Sequence, residues 1–337
     1  MNIQPATALL PYNTFGIDAR ADHFAEVLSV DDLHEVLKSG IRPVLILGGG
    51  SNLLFTRDVP GLVVKNSIRG IRVARTFKNK VWIEAGGGEV WHDFVLWAVQ
   101  NGFGGAQNLS LIPGTVGAAP VQNIGAYGVE LKDLFVSLRA VDLETGRIRQ
   151  FSKKECRFGY RDSFFKREGK NRYCIFSVTF SLTRSDHRIN VSYGDIRKTL
   201  EVNGISQPSI ADVSRAVIQI RSSKLPDPAR VGNCGSFFKN PEVPKPVLEN
   251  IQKTRPEAPF YNTGDGARVK IPAGWLIEQC GWKGKRVGNT GCYERQALVL
   301  VNYGGATGEE VKNLAFAIID SVEKEFGIRL EPEVNII

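Results

Sequence analysis

Glycine-rich segments in the first half of the chain constrain its fold and function more than any other feature. They lie at 47–52 (LGGGSN), 85–89 (AGGGE) and 112–119 (IPGTVGAA), and 122–128 (QNIGAYG) follows closely. Glycine permits positive φ and lets main-chain N–H groups approach a ligand, and successive N–H groups form a nest for phosphate. None of the segments matches the G-x-G-x-x-G fingerprint or a P-loop, and each alone is compatible with a tight turn. Their clustering indicates a bound dinucleotide.

Short apolar runs alternate with helical stripes along the chain. Runs typical of β-structure predict strands over 43–47, 61–65, 81–85, 134–142 and 173–182, with a hairpin turn at 144–146. Helices are predicted over 32–38 with Asp31 as the N-cap, over 90–98 with Gly102 after its end, after Asp212, and from a Thr307–Glu310 capping box to Gly327. This mixture predicts an α+β fold without internal repeats.

Length and charge distribution indicate more than one domain. A chain of 337 residues exceeds what one hydrophobic core usually supports, so two or three domains are expected. The net charge is +8, and the stretch 221–295 carries 13 Lys and Arg against 7 Asp and Glu, together with half of the 16 prolines. This shift predicts a boundary near residue 220 and a basic, loop-rich module after it. The charge alone fits a polyanionic partner as well as an anionic small molecule.

The sequence disfavours several locations and kinds of site. The N-terminus lacks a basic start followed by an apolar stretch, so no signal peptide is predicted, and apolar runs such as 297–301 are too short to span a bilayer. Five widely spaced cysteines without a C-x-x-C pair disfavour both a disulfide framework and a zinc site. We therefore expect a cytoplasmic protein with reduced thiols, no metal and no membrane contact.

The segment 234–241 (CGSFFKNP) holds the side chains most suited to chemistry. Cys234 or Ser236 could act as a nucleophile, but the four histidines lie elsewhere in the sequence without a triad signature. Ser236 beside Lys239 could instead donate a proton, provided that nearby positive charge stabilises the alkoxide left behind. Without such a role, Cys234 is a small apolar residue and Ser236 a turn residue.

Two further segments carry polar residues without a specific signal. Arg161 and Asp162 in GYRDS are compatible with a simple surface ion pair. Glu331 and Glu333 flank a proline in LEPEV and are compatible with an edge strand whose carboxylates face water. The residues alone do not show whether either segment has a functional role or only the structural one described.

Taken together and in order, these segments resemble one enzyme family over nearly the whole chain. GGGSN, IPGTVGAAPVQNIGAYG, GYRDSFFK, KLPDP, GSFFKNP, AGWLIEQCGWKG and LEPEV are similar to motifs of the MurB family, the UDP-N-acetylenolpyruvoylglucosamine reductases of bacterial peptidoglycan synthesis. GYRDS together with SYGD at 192–195 resembles the type I branch, which has a tyrosine loop over the substrate. The resemblance implies FAD as the cofactor, NADPH as the reductant and UDP-N-acetylglucosamine enolpyruvate as the substrate.

The fold implied by the resemblance has a two-part FAD-binding region of the vanillyl-alcohol-oxidase (PCMH) type and a separate α+β substrate domain. We expect a first FAD-binding subdomain at 1–68, a second with the tyrosine-loop insertion at 69–220, the substrate domain at 221–329, and a C-terminal strand with the catalytic glutamate at 330–337. The protein is expected to be a monomer.

The motif matches also imply roles for individual residues. The implied catalytic residues are Arg161, Ser236 and Glu333. The implied flavin-binding residues are Gly48, Gly49, Gly50, Ser51, Asn52, Gly114, Thr115, Gly117, Ala118, Gln122 and Asn123. The implied substrate-binding residues are Tyr160, Tyr193, Lys224, Asn240, Lys283 and Gln296.

The implied reaction reduces the enolpyruvyl ether to UDP-N-acetylmuramate in a ping-pong order. A hydride from flavin N5 adds to C3, Ser236 protonates C2, and Arg161 and Glu333 stabilise the enediolate-like intermediate. The hydride chemistry belongs to the cofactor, while the protein supplies orientation and charge stabilisation.

Two other functions stay open on the residues alone. A flavin-dependent alcohol oxidase of the same superfamily is one alternative, but GSFFKNP and the basic substrate region argue against it, because an alcohol oxidation needs no proton donor to a carbanion. A basic nucleotide- or nucleic-acid-binding protein could stack bases on Phe237 and Phe238 beside Lys239, but it leaves the glycine loops unexplained. We therefore expect small-molecule partners rather than nucleic acid.

Overall fold

Strands and helices alternate irregularly in the computed structural model, which describes residues 2–264 and 266–337. The strands are β1 (Gln4–Ala8), β2 (Arg20–Val27), β3 (Val44–Leu47), β4 (Leu53–Leu54), β5 (Val59–Asn66), β6 (Ile71–Thr76), β7 (Lys80–Gly86), β8 (Gly125–Ala126), β9 (Val129–Glu130), β10 (Phe135–Asp142), β11 (Ile148–Ser152), β12 (Tyr173–Thr183), β13 (Gly232–Ser236), β14 (Glu242–Pro244), β15 (Tyr261–Asn262), β16 (Arg268–Lys270), β17 (Arg286–Val287), β18 (Thr290–Cys292), β19 (Val299–Asn302) and β20 (Asn335–Ile336). The α-helices are α1 (Val30–Lys38), α2 (Trp91–Gln100), α3 (Leu131–Leu134), α4 (Lys153–Cys156), α5 (Gly194–Val202), α6 (Ile210–Lys224), α7 (Lys245–Thr254), α8 (Ala273–Gln279) and α9 (Gly308–Phe326). The predicted α+β content is confirmed.

The chain divides into two compact units, each built from separate stretches of sequence. Unit 1 comprises residues 2–7, 21–50 and 59–223, and unit 2 comprises residues 8–20, 51–58 and 224–337. The short stretches 8–20 and 51–58 therefore belong with the C-terminal part of the chain, an association that composition does not reveal. The finer division at 68, 220 and 329 stays a prediction.

Unit 1 contains two larger sheets of different kinds and the two-stranded sheet β8-β9. One has the strand order β1-β2-β5-β3, with β2, β5 and β3 parallel. The other is antiparallel, with the order β11-β10-β12-β7-β6. Parallel strands need a crossover connection, and α1 lies within the connection from β2 to β3. Leu33 and Val36 of α1 are fully buried in one cluster with Leu62 of β5 and Val44 of β3, and β3 is the strand that precedes the first glycine segment.

The antiparallel sheet of unit 1 packs against α2. Trp91 and Phe94 of this helix are fully buried, and the ring of Phe94 lies 4.8 Å from that of Phe180 on β12. Such aromatic pairs contribute about 0.5–1.5 kcal/mol beyond the area that they bury. After α2 ends, Gly102 adopts a φ of 73°, which confirms its predicted place past the helix C-terminus.

Unit 2 contains the sheet β13-β19-β18-β17, the small sheet β14-β16-β15, and a parallel pair of β4 and β20. Its long helix α9 has the predicted ends. The Thr307 side chain accepts from the Glu310 N–H, and the Glu310 carboxylate accepts from the Thr307 N–H, at 3.2 and 2.7 Å. Gly327 follows the helix with a φ of 66°. The capping box and the glycine after the helix each depend on a few residues close together in the chain, so both can be recognised in the sequence.

Two helices begin earlier than the sequence predicts. Ser29, rather than Asp31, is the N-cap of α1, because its hydroxyl accepts from the Asp32 N–H at 3.0 Å. The Ser209 hydroxyl accepts in the same way from the Asp212 N–H before α6, at 3.2 Å. Asp31 and Asp212 instead lie inside the first helical turn, where a negative charge interacts favourably with the helix dipole.

Candidate active site

The glycine turn that follows β3 lies against the loop 112–119 within unit 1. A Cβ added at Gly49 would lie 2.8 Å from the Gly114 Cα, closer than real side chains approach backbone. A Cβ added at Gly48 would lie 2.7 Å from the Thr115 Oγ1 and 3.2 Å from the Ala118 Cβ. Two segments that share only composition in the sequence are therefore in direct contact in the structure.

A third glycine segment completes the same surface. The Gly117 N–H donates to the Gly87 carbonyl at 2.8 Å, and the Val116 N–H donates to the Glu89 carbonyl at 2.9 Å. We call the residues 48–50, 86–88 and 114–118 the glycine cradle. Main-chain groups rather than side chains predominate in the cradle, which suits a cofactor that carries phosphate groups.

Lys65 places a positive charge at the glycine cradle, and the sequence analysis missed it. Its ammonium donates to the Gly48 carbonyl at 2.6 Å, and burial lowers the pKa of Lys65 from its usual value. The signal in the sequence was a single charged residue, this lysine, in the mostly apolar strand β5. A partly buried cation beside main-chain N–H groups favours an anionic ligand.

Gly49→Ala is expected to weaken FAD binding by about ten- to a hundredfold. The added methyl group would force the two loops of the cradle apart, and overpacking of this kind costs about 1–3 kcal/mol. The measurement is the FAD dissociation constant from flavin fluorescence. Gly194→Ala is the matched control, because nothing lies within 4 Å of its added Cβ. An unchanged constant in Gly49→Ala would show that the cofactor does not depend on this contact.

Two residues of the predicted site adopt left-handed backbone conformations in unit 1. Asn123 has a φ of 44°, and its side chain donates to the Gly159 carbonyl at 2.8 Å and accepts from the Lys132 N–H at 3.0 Å. Arg161 has a φ of 52°, and its Nη2 donates to the Gly125 carbonyl at 2.6 Å. Residues other than glycine adopt this conformation rarely, and it persists where surrounding contacts hold it. The structure thus fixes the Arg161 guanidinium beside the segment 122–128.

The predicted tyrosine loop docks on the same segment. The ring of Tyr193, which precedes α5, packs edge to face with that of Tyr127, with centroids 5.5 Å apart. The buried Asn108 side chain donates to the carbonyls of Tyr127 and Asn190, at 3.2 and 3.0 Å. Tyr193 is nevertheless 38% exposed, so its ring is accessible to a ligand.

Ser236 lies at the end of β13 in unit 2. Its strand pairs with β19, and Gly235 before it has a φ of 72°. Ser236 is exposed, whereas Phe237 and Phe238 after it are buried. The two buried aromatic rings anchor the segment, and the serine before them stays on the surface of the unit, where a ligand can reach it. The buried rings are not available to stack nucleic-acid bases.

The C-terminal segment that carries Glu333 pairs with the segment that follows Ser236. The Glu333 N–H donates to the Phe237 carbonyl at 2.7 Å, and the Lys239 N–H donates to the Glu331 carbonyl at 3.0 Å. This pairing places Glu333 opposite the residue after Ser236, although the two are far apart in the sequence. The Asn52 side chain also donates to the Glu333 carbonyl, at 3.3 Å.

The Lys239 ammonium forms an ion pair with the Glu331 carboxylate at 2.9 Å. A charge that is already paired has less capacity to stabilise an alkoxide on Ser236. Stabilisation of a Ser236 alkoxide by Lys239 stays a prediction, and the Glu331 carboxylate competes for the same charge.

Cys234 is not available as a nucleophile. Its side chain is buried, and burial, together with the nearby Glu333 carboxylate, raises the pKa of the Cys234 thiol well above its usual value. Burial likewise raises the pKa of Cys156, Cys174 and Cys292 to about 12. The thiolate is the reactive form of cysteine, so these thiols are inert near neutral pH.

The start of α8 gathers two of the predicted substrate residues in unit 2. The Asn240 Oδ1 accepts from the Ala273 N–H at 2.9 Å, and the Gln296 Oε1 accepts from the Leu298 N–H at 3.3 Å. A Cβ added at Gly274 would lie 2.9 Å from the same Gln296 oxygen. Asn240 and Gln296 are thus oriented by main-chain contacts around one helix start.

The two predicted substrate lysines lie elsewhere in unit 2. Lys224 is exposed at the end of α6. The Lys283 ammonium forms an ion pair with Glu278 at 2.8 Å, near the end of α8. A role for Lys283 in substrate binding would therefore require this ion pair to open.

The predicted residues divide between the two units. Unit 1 carries Gly48, Gly49, Gly50, Gly114, Thr115, Gly117, Ala118, Gln122, Asn123, Tyr160, Arg161 and Tyr193. Unit 2 carries Ser51, Asn52, Lys224, Ser236, Asn240, Lys283, Gln296 and Glu333. Within the described ranges, no group of three or more His, Cys, Asp or Glu could hold a metal ion. No helix of 2–264 or 266–337 has both the length and the apolar composition to cross a membrane.

Two family models match different parts of the chain. Residues 21–152 match an FAD binding domain, and residues 227–337 match the C-terminal domain of UDP-N-acetylenolpyruvoylglucosamine reductase. A crystal structure of UDP-N-acetylenolpyruvylglucosamine reductase from Thermus caldophilus superposes with a TM-score of 0.67 at 24% identity, covering 100% of this chain and 99% of that one. These matches confirm the predicted α+β fold with an FAD-binding region and a separate C-terminal domain.

Relatives of similar length align from end to end. The UDP-N-acetylenolpyruvoylglucosamine reductase of Flavobacterium johnsoniae is 52% identical over 338 residues, covering 100% of both chains. That of Pseudomonas aeruginosa is 50% identical over 340 residues, covering 100% of this chain and 99% of its own length. With the FAD binding domain, this identity makes the protein an FAD-dependent oxidoreductase, and the glycine cradle fits such a cofactor. The chain belongs to the UDP-N-acetylenolpyruvoylglucosamine reductase family.

Proposed function

We propose that the protein reduces UDP-N-acetylglucosamine enolpyruvate to UDP-N-acetylmuramate with NADPH, as a step of peptidoglycan precursor synthesis. The observation that carries the proposal is the main-chain pairing of 237–239 with 331–333, which joins the segment after the exposed Ser236 to the segment that carries Glu333. A proton donor beside a second polar group is what the reduction of an enol ether needs after hydride addition. An alcohol oxidation has no use for this arrangement.

The cofactor in this proposal lies on the glycine cradle. The cradle residues Gly48–Gly50 and Gly114–Ala118 would hold its phosphates, with Ser51, Asn52, Gln122 and Asn123 as further ligands. When bound, FAD supplies the hydride that the enolpyruvyl group accepts at C3. The protein residues bind and orient the substrate and move the proton.

Arg161 is the proposed ligand of the substrate carboxylate. Its guanidinium is always protonated and can form two parallel hydrogen bonds to a carboxylate. The Gly125 carbonyl accepts from one nitrogen of Arg161 and so fixes the orientation of the fork. Negative charge that develops on the carboxylate during the reaction would be stabilised more strongly than the ground state.

Ser236 is the proposed donor of the proton to C2. Its pairing with Val299 on β19 fixes the main chain at this position. Lys239 is a candidate for stabilising charge that forms on the serine oxygen, in competition with its ion pair to Glu331. Glu333 in its protonated form would donate a hydrogen bond to the enediolate-like group.

The nucleotide part of the substrate is assigned to the remaining polar residues. In this proposal Tyr160, Tyr193, Lys224, Asn240, Lys283 and Gln296 bind it. The lysines would meet the diphosphate, and the amides at the start of α8 would accept and donate hydrogen bonds to the sugar or base. The concentration of basic residues in 221–295 is consistent with an anionic small molecule.

The test is turnover with the enolpyruvyl nucleotide as the only electron acceptor. We expect NADPH to be consumed in equal amount to the nucleotide, and in heavy water the product should carry solvent deuterium at C2. Absence of NADPH consumption with this nucleotide would contradict the proposal. Oxygen consumption with an alcohol would instead indicate the alcohol oxidase.

A further inference from the structure

Leu111, directly before the loop 112–119, is held at both of its main-chain polar groups by side chains from two helices. The Leu111 N–H donates to the His92 Nδ1 of α2 at 2.9 Å, and the Arg221 Nε of α6 donates to the Leu111 carbonyl at 3.3 Å. Leu111 has a φ of 59°, which leucine adopts rarely. A strained backbone of this kind persists where its surroundings hold it.

The residues around Leu111 contact the same two helices. The Ser110 hydroxyl and the Ser214 hydroxyl of α6 lie 2.8 Å apart and are buried. The Trp91 side chain of α2 donates to the Leu109 carbonyl at 3.0 Å, and its main-chain N–H donates to the Gly114 carbonyl at 3.0 Å. The segment therefore enters the glycine cradle from a conformation that α2 and α6 determine.

We propose that His92 is a positioning residue for FAD, whose neutral imidazole holds Leu111 and thereby keeps the cradle loop in its cofactor-binding conformation. The Nδ1 atom accepts a hydrogen bond only when it carries no proton, so the proton of the neutral ring lies on Nε2. In the protonated ring, two N–H groups would face each other and this contact with Leu111 would be lost. The inference rests on FAD as the cofactor and not on the enolpyruvyl substrate.

The surroundings of His92 favour the neutral ring. Burial is the main cause that lowers the pKa of His92, Asp93 on the same helix opposes it, and Arg221 on α6 lowers the pKa further. The folded pKa thus lies below the value of about 6.5 of an unrestrained histidine. The conformation in which Leu111 is bonded to His92 binds fewer protons than a conformation in which this bond is broken. The bond therefore contributes its full stabilisation above pH 6.5, and this stabilisation is lost as the pH falls through the lowered folded pKa of His92.

The test compares FAD release from the holoenzyme between pH 5 and pH 8 in three proteins. His92→Asn keeps an acceptor in the same place, because its Oδ1 is bonded to Cγ as Nδ1 is, and this acceptor does not titrate near neutrality. His92→Phe keeps a ring and removes the acceptor. The FAD dissociation constant is measured from the flavin fluorescence that appears on dilution.

The unsubstituted protein should bind FAD roughly tenfold more weakly at low pH than at pH 8, because a change of this size corresponds to the loss of one hydrogen bond. His92→Asn should bind FAD like the unsubstituted protein at pH 8 and change much less with pH. His92→Phe should bind roughly tenfold more weakly at pH 8.

The matched control is His34→Gln. His34 is also partly buried in unit 1, and its Nε2 lies 2.8 Å from the Gly146 carbonyl, at a different place in the unit. The control should keep the pH profile of the unsubstituted protein.

Identical pH profiles in His92→Asn and the unsubstituted protein would overturn the proposal, because the titrating group would then be another residue. Full FAD affinity in a folded His92→Phe would also overturn it. If His92→Phe does not fold, the profile of His92→Asn decides. Reduction of the enolpyruvyl nucleotide is not measured, so failure here leaves the proposed function untouched.

Discussion

Ser236→Ala is expected to leave the reduction of the flavin by NADPH unchanged and to slow flavin reoxidation by the enolpyruvyl nucleotide about 10²–10³-fold. Loss of a single catalytic donor typically has an effect of this size. The structure places Ser236 on an exposed strand end, so the substitution removes a hydroxyl without creating a cavity. The effect should therefore fall on the second half-reaction and not on folding. Anaerobic stopped-flow absorbance measures both half-reactions separately.

The matched control for this variant is Ser321→Ala, on α9 of the same unit. There the main-chain carbonyl of Ser321, not its hydroxyl, accepts from Cys280, so alanine preserves the contact. Reoxidation in the control should match that of the unsubstituted protein. A Ser236→Ala protein that is reoxidised at the normal rate would dismiss Ser236 as the proton source, whatever its neighbours.

Arg161→Met is expected to lower kcat/KM for the enolpyruvyl nucleotide by at least about 10²-fold, mostly through kcat. The guanidinium is proposed to bind the carboxylate whose negative charge grows during the reaction, and an interaction of that kind contributes mainly in the transition state. Arg161→Lys keeps the charge but loses the two-pronged geometry, so it should be impaired less than Arg161→Met. Arginine, lysine and methionine have a similar backbone strain energy at a φ of 52°, so strain does not contribute to the differences between these proteins.

Arg157→Met is a suitable control for the Arg161 variants. Arg157 also has positive φ, at 44°, and it lies in unit 1 in an ion pair with Glu168 at 2.9 Å. Exposed ion pairs contribute little, so the control should retain activity and fold. A loss in Arg161→Met that appears only in KM would show that Arg161 binds the ground state and the transition state equally, contrary to the role proposed for it.

The parts of the fold that the sequence predicts correctly depend on residues close together in the chain. Thr307, Glu310 and Gly327 specify the ends of α9 through contacts within one turn. The start of α1 was misplaced because Ser29 and Asp31 are both good caps, and only the reciprocal bonds of Ser29 with Asp32 decide between them.

The parts of the site that the sequence does not predict depend on contacts between distant residues. Glycine composition suggested the cradle, but the approach of Gly49 to Gly114 is a property of the folded chain. The position of Glu333 was implied only by resemblance, because its pairing with Phe237 joins distant parts of the chain. For His92 the sequence shows only that no triad signature accompanies the histidines, and no residue near it in the chain indicates its hydrogen bond to Leu111.

The visible spectrum of the purified protein in the absence of oxygen tests the proposed function most directly. NADPH should bleach the flavin absorbance, and UDP-N-acetylglucosamine enolpyruvate added afterwards should restore it in full. A flavin that stays bleached after the nucleotide is added, or that is bleached by an alcohol in place of NADPH, would contradict the proposed function.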